Sequence, residues 1–314
     1  MDLASFFSPE VHEEEMSNPV SSADIASSIR ERELEEEILR LKKDLDLAKR
    51  DREEKAFSIK SLIGQRARLK HLMEIPAANL NKETSRQFSR MFALVHQTRS
   101  QFLQELFALA FSECRSGGFF VEFGACDGLH LSNSYLLETQ FGWNGILSEP
   151  GKVWHEDLGR NRRATIDTRC VWFETGHVLE FSESPIPGQS TISRFGDEKA
   201  EYTGKYAVQT VSLLDLLEKH NAPRHIDFLS MDTEGSEYDI LRSFDFSKFR
   251  FGFISVEQHL TKHGSKITEL LRSAGYELLF TGENPDLGPW ARVSGFDNWY
   301  VRKEKLRLLE ENRP

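Results

Sequence analysis

Carboxylates and a histidine follow two neighbouring apolar segments in the second half of the chain. Asp232 and Glu234 come directly after the apolar run 226–231, and Glu257 and His259 end the next run. Because the ends of adjacent parallel strands meet at one edge of a sheet, we expect Asp232, Glu257 and His259 to lie together. Such a group could hold a divalent cation, or it could remove the proton of a hydroxyl group. The residues alone leave both alternatives open.

A glycine-containing turn follows an earlier apolar run, in the segment VEFGACDG at 121–128. Gly124 and Gly128 let the backbone turn tightly and approach a ligand, although the turn alone could be only a tight connection. Glu149 ends the next apolar run some twenty-five positions after Gly124, close to the ~20 expected for a carboxylate that binds a ribose. The two features together favour a nucleotide-like cofactor, with Glu149 holding both ribose hydroxyls.

Three carboxylates stand close together in the sequence, at Asp232, Glu234 and Glu237. They would repel one another unless a cation, an arginine or a proton intervened. Glu237 also has a simpler interpretation, because a helix N-terminus favours negative charge. We therefore expect Asp232 and Glu234 to take part in chemistry and Glu237 to stabilise the start of a helix.

The elements that must position these residues alternate in type from Phe119 onward, which predicts a mainly parallel sheet. Strands are predicted at 119–123, 145–148, 164–168, 226–231, 251–256, 276–280 and 298–301. Helices are predicted at 132–140, 152–161, 211–220, 236–244 and 265–273. The segment 173–208 contains prolines and glycines and predicts an inserted hairpin with loops, in which residues 190–194 are candidates to cover the site.

The first third of the chain has a different composition, rich in Glu, Lys, Arg and Leu. Residues 1–22 predict a flexible tail, and 23–75 a long helix whose apolar residues follow one a/d register. A coiled coil explains this narrow stripe; a solvated helix, or one packed on the globular domain, is the alternative. Residues 76–115 predict a linker and a helical lead-in with a helix at 84–114, followed by a globular domain at 116–305 and a C-terminal tail at 306–314.

The overall charge limits the partners of the protein. Acidic residues outnumber basic ones by 50 to 40, which argues against a broad nucleic-acid surface. No apolar run reaches the ~18 residues of a membrane span, and the N-terminus lacks the pattern of a secretory signal. The three cysteines are too far apart for a metal or redox motif. We therefore expect a cytoplasmic protein with reduced thiols and no membrane span.

The motifs together resemble the FkbM family of methyltransferases. The resemblance is carried by Glu122 with Gly124 and Gly128, by Glu149-Pro150, by the block DTEGSE at 232–237, and by Glu257. It runs from about Phe119 to Lys303 and implies an α/β, Rossmann-like class I methyltransferase fold with a seven-stranded sheet, here behind an N-terminal helical coiled-coil segment. It also implies transfer of a methyl group from S-adenosylmethionine to a hydroxyl of a sugar, glycan or natural-product acceptor.

The resemblance and the spacing together define two sets of candidate residues. The cofactor-binding candidates are Glu122, Gly124, Ala125, Asp127, Gly128, Asn133, Glu149, Pro150, Arg169 and Cys170. The catalytic candidates are Asp232, Glu234, Glu257 and His259, of which Asp232, Glu257 and His259 are also candidate ligands for a divalent cation such as Mg²⁺.

Two other functions compete with this interpretation. A nicotinamide-dependent oxidoreductase would use a similar turn and ribose acid, but Cys126 stands where its middle glycine belongs, and the DTEGSE block has no place in it. A non-catalytic scaffold would keep the fold while the coiled coil assembles partners. We expect a small-molecule or glycan substrate and a homo-oligomer formed through the N-terminal helix.

Overall fold

The fold is described from a computed structural model, for residues 93–184, 190–196, 202–257, 263–281 and 297–305, for Arg90, and for scattered positions between Arg30 and Lys49. The chain divides into two compact units, Met1–Lys60 and Ser61–Pro314. The described residues of the first unit are helical. The remaining heptad positions of the predicted coiled coil, from Ala48 to Met73, lie outside the described residues.

The second unit is built from the following described strands and α-helices, numbered in chain order. The strands are β1 (Phe119–Phe123), β2 (Asn144–Ser148), β3 (Thr165–Asp167), β4 (Cys170–Trp172), β5 (Val178–Glu183), β6 (Thr191–Ile192), β7 (Gly204–Ser212), β8 (His225–Met231), β9 (Arg250–Glu257), β10 (Tyr276–Thr281) and β11 (Asp297–Arg302). The helices are α1 (Gln104–Phe111), α2 (Tyr135–Phe141), α3 (His155–Asn161), α4 (Leu213–Lys219), α5 (Glu237–Ser243) and α6 (Gly264–Ser273).

Seven strands form the main sheet, in the order β10-β11-β9-β8-β1-β2-β3. Strands β3, β2, β1, β8 and β9 pair in parallel, and β11 lies antiparallel between β9 and β10. The chain order reverses between the adjacent strands β1 and β8, and in open α/β sheets ligands bind outside the carboxyl ends of the strands at such a switch point. The α/β fold with a mostly parallel sheet is thus confirmed, and each predicted strand ends within one residue of the observed one.

Helices cover both faces of the main sheet, which explains why its strands are apolar at nearly every position. Phe120, paired with Phe228, faces one core together with Phe107 and Trp299. The next residue, Val121, faces the other core, which includes residues of α4, α5 and α6. Successive side chains of a strand point to opposite faces, so both cores hold the strand ends in place.

The predicted insertion forms a second, four-stranded sheet in the order β4-β7-β5-β6. It has its own small core, made by Cys170, Trp172, Phe181, Ile192 and Val208. Strand β4 was not predicted, because three residues are too few to show a pattern. Together these strands place β6 and the end of β5 beside the carboxyl edge of the main sheet.

The single helix predicted at 84–114 is interrupted, and α1 contains only its last part. Before α1 the chain turns, and Leu103 has a left-handed backbone with φ of 67°. The turn is held by the fully buried Glu105, whose Oε1 accepts hydrogen bonds from the backbone N–H of Arg99 (2.7 Å) and Ser100 (3.3 Å). A buried carboxylate needs such donors, and the turn supplies them where a continuous helix would not.

None of the helices in the described part of the chain has the length and hydrophobicity needed to cross a membrane.

Candidate active site

The end of β1 approaches the end of β8 through Gly124. This glycine has φ of +75°, and a Cβ there would lie 2.3 Å from the backbone oxygen of Asp232. Its own N–H donates to the carbonyl of Ser148, at 3.0 Å. A side chain would separate the two strand ends, so glycine is required by both the backbone angle and the space.

The glycine turn and Glu149 are joined directly by hydrogen bonds. The backbone N–H of Cys126 donates to Glu149 Oε2 (2.8 Å), and that of Gly151 donates to Oε1 (2.7 Å). Cys126 adopts φ of 46°, which explains why a glycine usually occupies this position. Burial raises the pKa of Glu149 to about 7, although the two backbone hydrogen bonds oppose the shift. The two features that the sequence associates with a cofactor therefore adjoin one another.

A crevice, which we call cavity A, opens beside this pair and measures about 560 Å³ with its solvent-open space. Its lining residues are Phe123, Gly124, Cys126, Ser148, Glu149, Pro150, Trp154, Cys170, Val171, Phe181, Ser190, Ile192, Asp232, Thr233 and Glu234. The cavity thus has apolar walls, one carboxylate at Glu149, and two more at Asp232 and Glu234.

Three carboxylates meet where β8 and β9 end. One oxygen each of Asp232, Glu234 and Glu257 lies within 4.8 Å of the others. Burial raises the pKa of all three carboxyl groups, and repulsion from neighbouring carboxylates raises it further. The pKa of Glu234 reaches about 7. Asp232 is hydrogen-bonded to Glu257, which requires a proton between the two carboxylates.

One oxygen of this cluster lacks a partner. The Asp232 Oδ1 atom is buried and accepts no hydrogen bond from the residues that the structure describes. Buried polar atoms are almost always paired, so this unpaired oxygen is a candidate contact for a ligand.

Glu237 supports the loop instead of facing the cavities. Its Oε1 accepts hydrogen bonds from the backbone N–H of Thr233 (2.9 Å), the Thr233 hydroxyl (2.8 Å) and the N–H of Gly235 (3.2 Å). These bonds fix the turn that presents Asp232 and Glu234.

A second cavity, cavity B, lies on the other side of Asp232 and measures about 400 Å³ with its open space. Its lining residues are Gln101, Phe102, Gln104, Leu131, Asn133, Ser230, Met231, Asp232, Glu257 and Asp297. Asp232 is the one lining residue that cavities A and B share in the described part of the chain.

Glu122 lies outside both cavities, in a buried polar cluster beneath the glycine turn. Its Oε1 accepts from the backbone N–H of Asn133 (2.7 Å), and its Oε2 accepts from the hydroxyls of Ser132 and Ser134. The guanidinium of Arg162, whose side chain is fully buried, lies 3.8 Å from Oε2. Glu122 therefore holds the turn between β1 and α2 in place.

The other predicted residues divide between the cavities and the supporting structure. Of the predicted cofactor residues, Gly124, Glu149, Pro150 and Cys170 line cavity A, and Asn133 lines cavity B. The remaining ones, Glu122, Ala125, Asp127, Gly128 and Arg169, line neither cavity. Among the catalytic candidates, Asp232, Glu234 and Glu257 come together, while His259 lies outside the described residues.

Two of these predicted residues have clear structural partners. Asp127 Oδ1 accepts from the backbone N–H of Leu129 (2.9 Å) and His130 (2.7 Å), closing the turn. Arg169 pairs with Asp167, at 2.6 Å between Nη2 and Oδ2. Burial would raise the pKa of Asp167, but its hydrogen bonds to Arg169 and His220 lower it instead.

Sequence reasoning missed several lining residues, of which Cys126 and Asp297 matter most. Asp297 pairs with Glu257 across β11 and β9. The sequence contains a signal for this contact. Asp297 directly precedes the last predicted strand, 298–301, and an antiparallel neighbour places that position opposite the end of β9.

A comparison with protein-family models identifies the family of the chain. The model of the methyltransferase FkbM domain matches residues 122–278, half of the 314-residue chain. The chain belongs to this family. It is a methyltransferase that uses S-adenosylmethionine as the methyl donor. No curated protein matches the chain.

Among solved structures, a TehB-like SAM-dependent methyltransferase from Corynebacterium glutamicum ATCC 13032 Kitasato is similar, with 11% identity and a TM-score of 0.33. The match covers 70% of this chain and 98% of that one.

Proposed function

We propose that this methyltransferase acts on oxygen, and that its acceptor is a hydroxyl group of a sugar, a glycan or another natural product. The observation that supports the proposal is the position of Asp232. Its carboxylate lies between cavity A, which also contains Gly124 and Glu149, and cavity B. A donor and an acceptor on opposite sides of Asp232 would meet at a carboxylate that can take a proton.

Cavity A has the features that the adenosine part of the donor requires. Glu149 would accept hydrogen bonds from the ribose hydroxyls, and the apolar walls at Trp154, Val171 and Ile192 would contact the adenine ring.

Burial raises the pKa of the Cys170 thiol in the wall of cavity A to about 12, so the thiol stays protonated at neutral pH. The three described cysteines are thiols that form no disulfide with one another, which supports a reducing location such as the cytoplasm.

The bound donor supplies a methyl group on a positively charged sulfur. The acceptor oxygen must lie in line with that group at about 3–3.5 Å, and its proton must leave as the new carbon–oxygen bond forms. Asp232 would take this proton, because its Oδ1 is buried and unpartnered. Because burial and neighbouring carboxylates raise the pKa of Asp232, its ionised carboxylate would be a stronger base than that of an ordinary aspartate.

A binding measurement tests the donor site and separates the competing functions. Calorimetry of the full chain should show binding of S-adenosylhomocysteine and none of NAD. Binding of NAD alone would support an oxidoreductase, and binding of neither would support a non-catalytic scaffold. Transfer of a labelled methyl group from S-adenosylmethionine, with the product analysed by its bond to oxygen or nitrogen, then tests the acceptor atom.

The carboxylate cluster also has the ligand chemistry of a magnesium site. Asp232, Glu234 and Glu257 offer three oxygens within 4.8 Å of one another, and Mg²⁺ prefers carboxylate oxygens. His259, which the sequence analysis also predicts as a ligand, lies outside the described residues. A cation there would neutralise the cluster and make the acceptor hydroxyl more acidic. Activity after treatment with EDTA, with and without added Mg²⁺, decides between the metal and the carboxylate base: full activity in EDTA excludes the metal.

We also propose that the N-terminal helix joins copies of the chain in a coiled coil. Leu34, Ile38, Leu41 and Leu45 are each at least half exposed, so this a/d stripe is available to another helix. Deletion of residues 1–75 should lower the mass of the particle measured by light scattering and leave the unfolding transition of the methyltransferase domain in place. An unchanged particle mass would refute the proposal.

A further inference from the structure

Two side chains that line cavity B, Asn133 and Asp232, each have a buried oxygen without a hydrogen-bond partner among the described residues. Asn133 donates its Nδ2 to the Ser230 hydroxyl (2.9 Å), and its Oδ1 is buried and accepts no hydrogen bond from the described residues. Gln104 likewise donates a hydrogen bond from Nε2 to Asp297 Oδ2 (2.9 Å). One N–H group of each amide is therefore used inside the protein. Gln104 Oε1 also accepts from the backbone N–H of Phe102 (2.8 Å), whereas Asn133 Oδ1 is an amide oxygen without such a partner.

The cavity also has a negative charge. Asp232, Glu257 and Asp297 line it, and no lysine or arginine does so among the described residues. Asn133 precedes α2 and Asp232 follows β8, and both residues line this cavity; the Oδ1 atom of each is unpartnered among the described residues. A ligand that satisfies them must bring N–H or O–H donors, and a negative charge on that ligand would face like charges in a poorly solvated site.

From this combination we infer that cavity B binds the acceptor, and that the acceptor is an amino alcohol, such as an amino sugar, whose ammonium group lies beside the hydroxyl that is methylated. The inference rests on the proposed function and makes it narrower. Asp297 and Asn133 are the residues that select this class, and acceptors carrying a carboxylate or a phosphate near the reacting hydroxyl are excluded.

Three sugars that share a ring but differ in charge test this selection. With S-adenosylmethionine saturating, we expect kcat/KM for labelled methyl transfer to fall from D-glucosamine to D-glucose to D-glucuronate, with at least about ten-fold between the first and the last. Equal use of glucosamine and glucuronate would overturn the inference. So would failure of all three sugars to accept the methyl group in protein that binds S-adenosylhomocysteine.

Charge-removing variants test which residues select the acceptor. Asp297→Asn keeps an oxygen for Gln104 and for the Ser255 hydroxyl (2.6 Å), so the fold should tolerate it. Asp297→Asn should reduce the ratio of kcat/KM for glucosamine to kcat/KM for glucuronate several-fold. Should this variant not fold, Glu257→Gln replaces it and should reduce the same ratio. Glu156→Gln, on the exposed face of α3, is the control and should leave the ratio unchanged. An unchanged ratio in both cavity variants would remove the selective role.

The ammonium group of the donor itself is the other possible occupant of cavity B. Asn133→Leu tests this, because 5′-methylthioadenosine lacks the amino-acid end of S-adenosylhomocysteine. We expect both ligands to keep their affinity in this variant within about two-fold. Loss of affinity for S-adenosylhomocysteine alone would show that the donor fills cavity B and would overturn the inference. If the wild-type protein bound neither ligand, the proposed function would fail instead.

Discussion

Glu122 lies in β1 and Asp232 directly follows the adjacent strand β8, yet the surroundings of the two carboxylates are opposite. Glu122 is surrounded by donors, with an arginine and two serines around its oxygens. Asp232 is surrounded by carboxylates, and one of its oxygens has no partner among the described residues. The first arrangement satisfies a buried charge and stabilises the fold. The second keeps a group in an unfavourable state, which is common where a side chain must act on a ligand.

The contrast predicts that substitutions in the two regions affect different measurements. Changes around Glu122 should lower stability, whereas changes around Asp232 should lower activity.

The largest effect is expected from Asp232→Asn. The amide cannot take a proton from the acceptor, so kcat should fall roughly 10²–10⁴-fold while donor affinity changes by a few-fold at most. The free energy of unfolding at neutral pH should stay the same or rise. The reason is that the pKa of Asp232 is raised in the folded protein, so ionisation opposes folding above the unfolded pKa.

Steady-state kinetics, calorimetry and urea unfolding of the same preparation check these three outcomes. Asp245→Asn, at an exposed turn, is the matched control and should behave as wild type in all of them. Wild-type turnover by Asp232→Asn would refute the role of this residue.

Arg162→Met should have the largest effect on stability. The Arg162 side chain is fully buried and pairs with Glu138 (2.7 Å) as well as Glu122, so its loss leaves two carboxylates without a cation. Breaking such a buried pair costs about 3–5 kcal/mol of unfolding free energy. Arg160→Met, in the last turn of α3 and two-thirds exposed, should leave the free energy of unfolding nearly unchanged. Urea unfolding compares the two variants, and similar values for both would contradict the stabilising role of the buried cluster.

Gly124→Ala tests the contact between the two regions. It adds left-handed strain of about 1–3 kcal/mol and places a methyl group 2.3 Å from the backbone of Asp232. Gly142→Ala has the same backbone strain, with φ of +62°, but nothing within 4 Å of the added Cβ. We expect only Gly124→Ala to lose S-adenosylhomocysteine binding in calorimetry of the folded protein. Equal loss in both variants would mean that strain, and not the close approach, is responsible.

The smallest effect concerns pH and Glu149. Its pKa of about 7 means that it becomes ionised between roughly pH 6 and 8, and an ionised carboxylate accepts the ribose hydrogen bonds better. The affinity for S-adenosylhomocysteine should therefore rise several-fold over this range and level off above it. Glu149→Gln should flatten the profile, and an equally steep profile in this variant would exclude Glu149 as its cause.

The raised pKa of Glu149 affects ligand affinity and stability in opposite directions. As pH rises, the affinity for S-adenosylhomocysteine should increase while the free energy of unfolding decreases. The folded protein binds this proton more tightly than the unfolded chain does. Glu149 therefore lowers the free energy of unfolding as pH rises between the ordinary value of 4.5 and about 7. Unfolding curves of wild type and Glu149→Gln across this range should converge at low pH.

The sequence by itself determined the seven strands, the position of the glycine turn and the acids that follow β2, β8 and β9. These features depend on local apolar runs and on residues directly beside them, so they can be predicted without knowing the partners. The sequence could not separate Glu122 from Asp232, since both are acids in or after an apolar strand.

Only the tertiary structure decided what surrounds each of those acids. Arg162 reaches Glu122 from the end of α3, Asp297 arrives beside Glu257 through antiparallel pairing, and the Cys126 amide meets Glu149 across the sheet edge. The turn before α1 likewise depends on Glu105 meeting Leu136. Such contacts join residues far apart in the chain, and the energy of a buried charge depends on these partners and not on its neighbours in sequence.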